Sequence, residues 1–293
     1  MRETFKKVLP TLARFAARDW RRPHWRILYY HAVLPAHRDT FAAQLDWFSE
    51  RFSWCTVDYG CEALTRPELL GGPLLSLTFD DADRTLLDVV LPLLMDRGIS
   101  ACVYVVPTYV ERGGSYRDET PRPIMSWSGI EEWLSTGNEV GSHTYTHAPL
   151  VRCSDERLRQ EARWSRWELE QKLSIPVRHF AYPWGQHNER TKRRIHDGGE
   201  YESMATILRG RMIGGHDRLA LRRDRGDPDK SPEQVVAMMQ LADRLYWLRR
   251  LRKHHSRLYW ERHPEERFDA IDPVPAAVQA ADTGLFMTNQ AIP

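Results

Sequence analysis

Residues 74–81, Leu-Leu-Ser-Leu-Thr-Phe-Asp-Asp, constrain the fold more than any other stretch of this chain. A largely apolar run that ends in two adjacent carboxylates reads as a buried strand, closed by charges that cannot stay inside it. In α/β proteins, sites are built at the C-terminal ends of such strands. Two neighbouring carboxylates there repel unless something neutralises them, and a metal cation would do so. Candidate partner ligands occur in Glu139-Val140-Gly141-Ser142-His143-Thr144-Tyr145-Thr146-His147. With one Asp, His143 and His147 would form a two-His, one-carboxylate face that leaves positions open for water and substrate. A third block, Phe180-Ala181-Tyr182-Pro183-Trp184-Gly185, follows another strand-like lead. It suggests a rigid wall with exposed backbone amides, although a plain strand-to-helix turn explains it equally well.

Around these blocks the hydrophobic pattern alternates between strand and helix. Ile27-Leu28-Tyr29-Tyr30-His31 reads as a first strand, and residues 39–50 as a helix with Phe41, Leu45 and Phe48 on one face and Asp39 or Thr40 as cap. Residues 83–97 form a helix that contains Pro92 and stops at Gly98; Ile99 to Val106 is strand-like. Helices over 126–135, 154–173 (capped by Ser154) and 189–196 alternate with strands over 139–142, 177–182 and 204–208. Such alternation predicts βαβ units and a parallel sheet.

The 293 residues suffice for one catalytic domain with a sizeable core and short additions. Cys55, Cys61, Cys102 and Cys153 lack metal-type spacing, and Cys102 reads as a buried thiol in a strand. No uninterrupted apolar leader and no run of about 18 apolar residues is present, so the expected location is cytoplasmic, with no membrane span. Net charge is +2 but unevenly spread: residues 1–26 carry a net of +6, residues 244–262 another +6, and the remainder −10. Phe5, Val8, Leu9, Leu12 and Phe15 interleave with the basic residues of the first flank, and Trp247, Tyr259 and Trp260 with those of the second. Both patterns suit an anionic membrane surface, though a short helix packed on the domain with a solvated basic face fits the first as well. No nucleic-acid-binding motif is readable in either flank.

Thr78-Phe79-Asp80-Asp81, then His143-Thr144-Tyr145-Thr146-His147, then Tyr182-Pro183-Trp184-Gly185, in that order, resemble the polysaccharide deacetylase family (the NodB homology domain, carbohydrate esterase family 4). The likeness runs from about Ile27 to about Arg223. It implies an α/β fold, a distorted (β/α) barrel, here with helical N- and C-terminal additions, and metal-dependent removal of acyl groups, usually N-acetyl, from sugars. By resemblance, Asp81, His143 and His147 hold a divalent metal, most often Zn2+, and Asp80 is the base. The backbone N–H of Trp184 would donate to the oxyanion, and Tyr182 and Trp184 would flank the sugar. In a branch with rearranged motif order the general acid is a His near the N-terminus, which implies His31 here; His216, in Gly214-Gly215-His216-Asp217, is the reserve candidate. Many members orient the base with an Arg in the third motif. The matching position is Ala181, leaving Arg178 nearby in sequence, and Arg222 or Arg223 as further anchors for base or substrate.

The expected organisation is a basic amphipathic segment (1–26), a catalytic domain (27–230), a basic helical extension (231–263) and a poorly ordered tail (264–293). The expected activity is N-deacetylation of an amino sugar in a glycan or lipid-linked intermediate, peripheral to the inner membrane face. A deformylase, an O-acetyl esterase, or a catalytically silent glycan- or membrane-binding relative are the alternatives.

Overall fold

The computed structural model describes residues 21–114, 122–198 and 201–244. Its strands are β1 (His24–Tyr30), β2 (Ser53–Trp54), β3 (Pro73–Asp80), β4 (Ala101–Val105), β5 (Glu139–Ser142), β6 (His179–Ala181), β7 (Ser203–Ala205) and β8 (Asp224–Arg225). The helices are α1 (Arg38–Ser49), α2 (Val57–Thr65), α3 (Leu91–Met95), α4 (Pro107–Arg112), α5 (Trp127–Ser135), α6 (Asp155–Leu173), α7 (Glu189–Asp197) and α8 (Pro232–Arg244). The sheet runs β7-β6-β5-β4-β3-β1-β8 with every pairing parallel, and β2 adds a short pairing to β3. Closure is irregular. Leu221 bridges to Ala205 on one side, and three residues later Asp224 pairs with Leu28 on the other. This is the expected distorted (β/α) barrel.

Alternation along β1 separates two apolar layers. Trp25 and Ile27 face the barrel interior with Cys102, Tyr104, Ala181 and Ala205, which α2 plugs through Val57, Cys61 and Leu64. Leu28 and Tyr30 face outward with Leu77, Phe79 and Val103, against Phe41, Phe48, Trp133, Leu158 and Leu169 of the helices. Gly60 is required in the plug, because a Cβ there would lie 2.1 Å from the Trp25 ring.

Ser154 caps α6 as expected, its side chain accepting the Arg157 N–H. Three local expectations are revised. The helix over 83–97 is divided into a wide turn at Leu86–Val90 followed by α3, because Pro92 has no N–H to continue the α ladder. Helix α1 begins at Arg38 with no side-chain cap, so neither Asp39 nor Thr40 serves as one. The strand expected over 204–208 is β7, which spans only Ser203–Ala205. Helix α8 packs Val235, Val236 and Met239 into the outer layer, and its Asp243 joins Asp224 on the buried Arg26 guanidinium. The first 20 residues and everything after 244, including most of both basic flanks and the tail, lie outside the described residues.

Candidate active site

Strand β3 carries Asp80 and Asp81 to the C-terminal edge of the sheet, beside Tyr104 of β4. A regular strand would send successive side chains to opposite faces. Here the backbone turns left-handed at Asp81 (φ 72°) and Ala82 (φ 59°), and both carboxylates come within electrostatic reach of the His143 imidazole. His143 follows β5, its N–H bonded to Val105 O at 2.8 Å. Thr144 (φ 66°) and His147 (φ 58°) then fold the loop back on itself. Of six non-glycine residues with left-handed φ among the described residues, five (Asp81, Ala82, Thr144, His147 and Trp184) lie at this site. Each such conformation costs on the order of 1–3 kcal/mol, held here by the surrounding fold.

Asp81 Oδ1 lies 3.6 Å from His147 Nε2 and 3.9 Å from His143 Nε2. Those separations are too long for hydrogen bonds, and Asp81 Oδ1 is buried without a hydrogen-bond partner. Ligands about 2.0–2.2 Å from one ion stand roughly 3–3.5 Å apart, close to what is seen. These three residues are thus able to share one cation. His143 Nδ1 is 2.7 Å from Ala181 O, so it carries the proton and leaves the Nε2 lone pair directed at Asp81. Burial lowers the His143 pKa to about 4 against the pull of Asp80, which keeps the ring neutral, as a ligand must be. Burial, with help from the Asp80 charge, pushes Asp81 upward, a penalty that a cation would relieve.

Asp80 is held differently. Arg223 Nη1 and Nη2 donate to its two oxygens at 2.6 and 2.9 Å, a buried bidentate pair. Arg223 Nε donates to Thr206 O, and the guanidinium stacks between the Tyr29 and Tyr104 rings. Burial alone would raise the Asp80 pKa; Arg223 and His143 outweigh it and hold it at about 2. Asp80 is therefore an oriented, ionised carboxylate.

The other sequence-predicted residues separate into those at the site and those elsewhere. His31 follows β1, is exposed, and is near enough for its charge to act on both Asp80 and Asp81. Trp184 is 42% exposed, its ring centroid 4.3 Å from that of His147. It sits in the turn Pro183–Gly185, where Gly185 (φ 62°) packs so closely on Ile207 that a Cβ would lie 2.3 Å away. Tyr182 cannot wall a sugar: it is fully buried, stacked on His187, with its hydroxyl donating to Leu219 O. His216 bonds to Ala220 O in a loop whose Gly215 N–H reaches Leu64 O, at the opposite end of the barrel, which removes it as an acid. Arg178 is also at that end, paired with Asp58 and Glu202. Arg222, next to the arginine that clamps Asp80, has its guanidinium beside Gly210 and its N–H on Met212 Sδ. Alternation gives Asp80 to Arg223 and turns Arg222 away.

Residues 70–200 match the family model described as polysaccharide deacetylase. No curated protein matches the chain. Among solved structures, the Streptococcus pyogenes deacetylase PplD in complex with acetate is 24% identical, with a TM-score of 0.65 over 74% of this chain and 99% of that one. IcaB from Ammonifex degensii is 25% identical (TM-score 0.61, 74% and 97% covered), and a de-N-acetylase from Aggregatibacter actinomycetemcomitans is 16% identical (0.62, 73% and 99%). Family match, barrel and motif-bearing strand ends agree: the chain carries a NodB-type polysaccharide deacetylase domain, matched over residues 70–200, of the kind that hydrolyses amide bonds in acetylated polysaccharides.

Proposed function

We propose that this protein removes N-acetyl groups from an amino sugar of a glycan, with Asp81, His143 and His147 holding a divalent ion, zinc by donor chemistry. The observation that carries the proposal is the unbonded Asp81 Oδ1 facing two imidazole Nε2 atoms, beside a second carboxylate kept ionised by Arg223. A bound divalent ion would polarise the acyl oxygen and bring the pKa of a water down to roughly 7.

Asp80 accepts the proton of that attacking water. Held below the usual carboxylate range by Arg223 and His143, it is ionised and available as a proton acceptor. Arg223 fixes the direction of its oxygens. His31, exposed at the rim, delivers a proton to the departing amine. The backbone N–H of Trp184 donates to the tetrahedral oxyanion, and its ring offers a face for the sugar.

Among the described residues no helix is long and apolar enough to cross a membrane. The basic flanks support a substrate at an anionic membrane surface.

Acetate release should be screened over free sugars, nucleotide sugars, oligosaccharides and lipid-linked glycans. Release from an N-acetylated member, lost with chelator and restored by zinc, is the expected result. Release unaffected by chelator, or none from any member, would overturn the proposal.

A further inference from the structure

The loop between the two candidate ligand histidines is held by a carboxylate that touches neither. Glu161, midway along α6, is 1% exposed. Its Oε2 accepts the Thr146 N–H at 2.8 Å, and its Oε1 accepts the Thr146 hydroxyl at 2.6 Å. Its backbone carbonyl accepts the Tyr145 N–H at 3.1 Å. Arg157, one turn earlier, places Nη2 2.6 Å from Glu161 Oε1 and 3.2 Å from Thr146 Oγ1, so the buried charge is compensated within the cluster. The same loop is closed by Ala148 N–H on Thr144 Oγ1, between two residues in left-handed backbone conformations, Thr144 and His147.

From this we infer that Glu161, with Arg157, is a positioning residue: it locks the Thr144–His147 turn so that His147 Nε2 meets Asp81 and His143 at ion-sharing distance. A buried carboxylate with an internal arginine partner is an expensive way to hold a helix, and apolar side chains would serve packing as well. Its acceptors instead saturate the backbone and side-chain donors of the residue preceding His147. Groups that orient a ligand from behind typically tune affinity for the ion by about 10–100-fold. The inference rests on the proposed ligand set, but not on the substrate or the reaction.

The test is zinc affinity of the full-length protein, by competition against a chromophoric chelator, together with the visible spectrum after cobalt substitution. Glu161→Gln keeps the shape and one acceptor while removing the charge. It should weaken zinc binding about 10–100-fold and alter the cobalt bands. Glu161→Asp, which keeps both acceptors on a shorter arm, should recover part of the loss. Leu169→Ala loosens the same helix by core truncation, and should lower the thermal midpoint with zinc affinity and cobalt spectrum unchanged. Glu161→Gln indistinguishable from wild type in both readouts, or weakened only as far as Leu169→Ala, would overturn the inference. So would wild-type protein that binds no zinc, which would sink the ligand set as well. Wild-type protein that binds zinc through the Glu161-dependent loop yet releases no acetate would leave the inference standing and remove the proposed activity.

Discussion

The two ends of the barrel carry the same kinds of side chain and behave differently. At the C-terminal end Asp81, His143 and His147 converge; at the N-terminal end Asp58, Glu139 and His179 do. At the N-terminal end partners are supplied by the protein itself. His179 Nε2 lies 3.0 Å from Asp58 Oδ1 and its Nδ1 2.9 Å from Ser203 Oγ. The Glu139 oxygens accept Val57 N–H and Asp58 N–H at the start of α2, and Arg178 pairs with Asp58. An ion there would have to break bonds already made. At the C-terminal end the two imidazole Nε2 atoms stand 3.6 and 3.9 Å from Asp81 Oδ1, which is buried and unbonded, on backbone that includes five left-handed residues. Residue type alone does not set the two ends apart; what differs is a buried carboxylate oxygen, Asp81 Oδ1, left without a hydrogen-bond partner.

His143→Ala breaks this contrast most sharply. It should lose bound zinc by a factor of at least about 100, whereas His179→Ala should keep it. Metal analysis of both purified variants decides, and equal loss would erase the distinction between the two ends. Asp80→Asn comes next. It should retain the ion and lose about 10²–10⁴-fold in kcat, followed by acetate release.

Arg223→Gln should cost about 3–5 kcal/mol of stability in chemical unfolding, because it leaves Asp80 buried and unpaired. The pH dependence has a defined sign. Asp80 is depressed from 3.8 to about 2 in the folded state, so its contribution, about 2 kcal/mol, is present above pH 3.8 and lost as pH falls through 2. In Arg223→Gln that window should vanish, and the acid limb of the rate profile should move to higher pH. An unchanged acid limb would argue against Arg223 as the clamp. The smallest effect belongs to the exposed ring: Trp184→Ala should raise KM about 2–10-fold with zinc content unchanged.

The candidate ligand set was legible because its residues follow apolar runs, Asp81 after one and the two histidines, four residues apart, after another. Asp81, His143 and His147 do meet, and His31 lies near enough for its charge to act on Asp80 and Asp81. The clamp on Asp80 was only half legible. Two arginines, 222 and 223, stand side by side, and which one faces inward depends on how Leu221–Arg225 bridges β7 to β1, a long-range property. Tyr182 looked like a wall because aromatic residues at a strand end suggest one, whereas packing against Met204 and His187 took it into the core. Glu161 left a faint signal, a carboxylate on the buried face of α6 between Leu158 and Leu169.

By itself the sequence determined the order of strands and helices and the chemistry waiting at the strand ends, since hydrophobic period and residue type act locally. Only the tertiary structure decided which of two alike Asp/Glu/His groups remains unsaturated, which arginine clamps Asp80, and which carboxylate holds the histidine loop. Those outcomes depend on hydrogen-bond partners up to 143 residues apart, as between Asp80 and Arg223, and no local pattern encodes whether such a partner arrives.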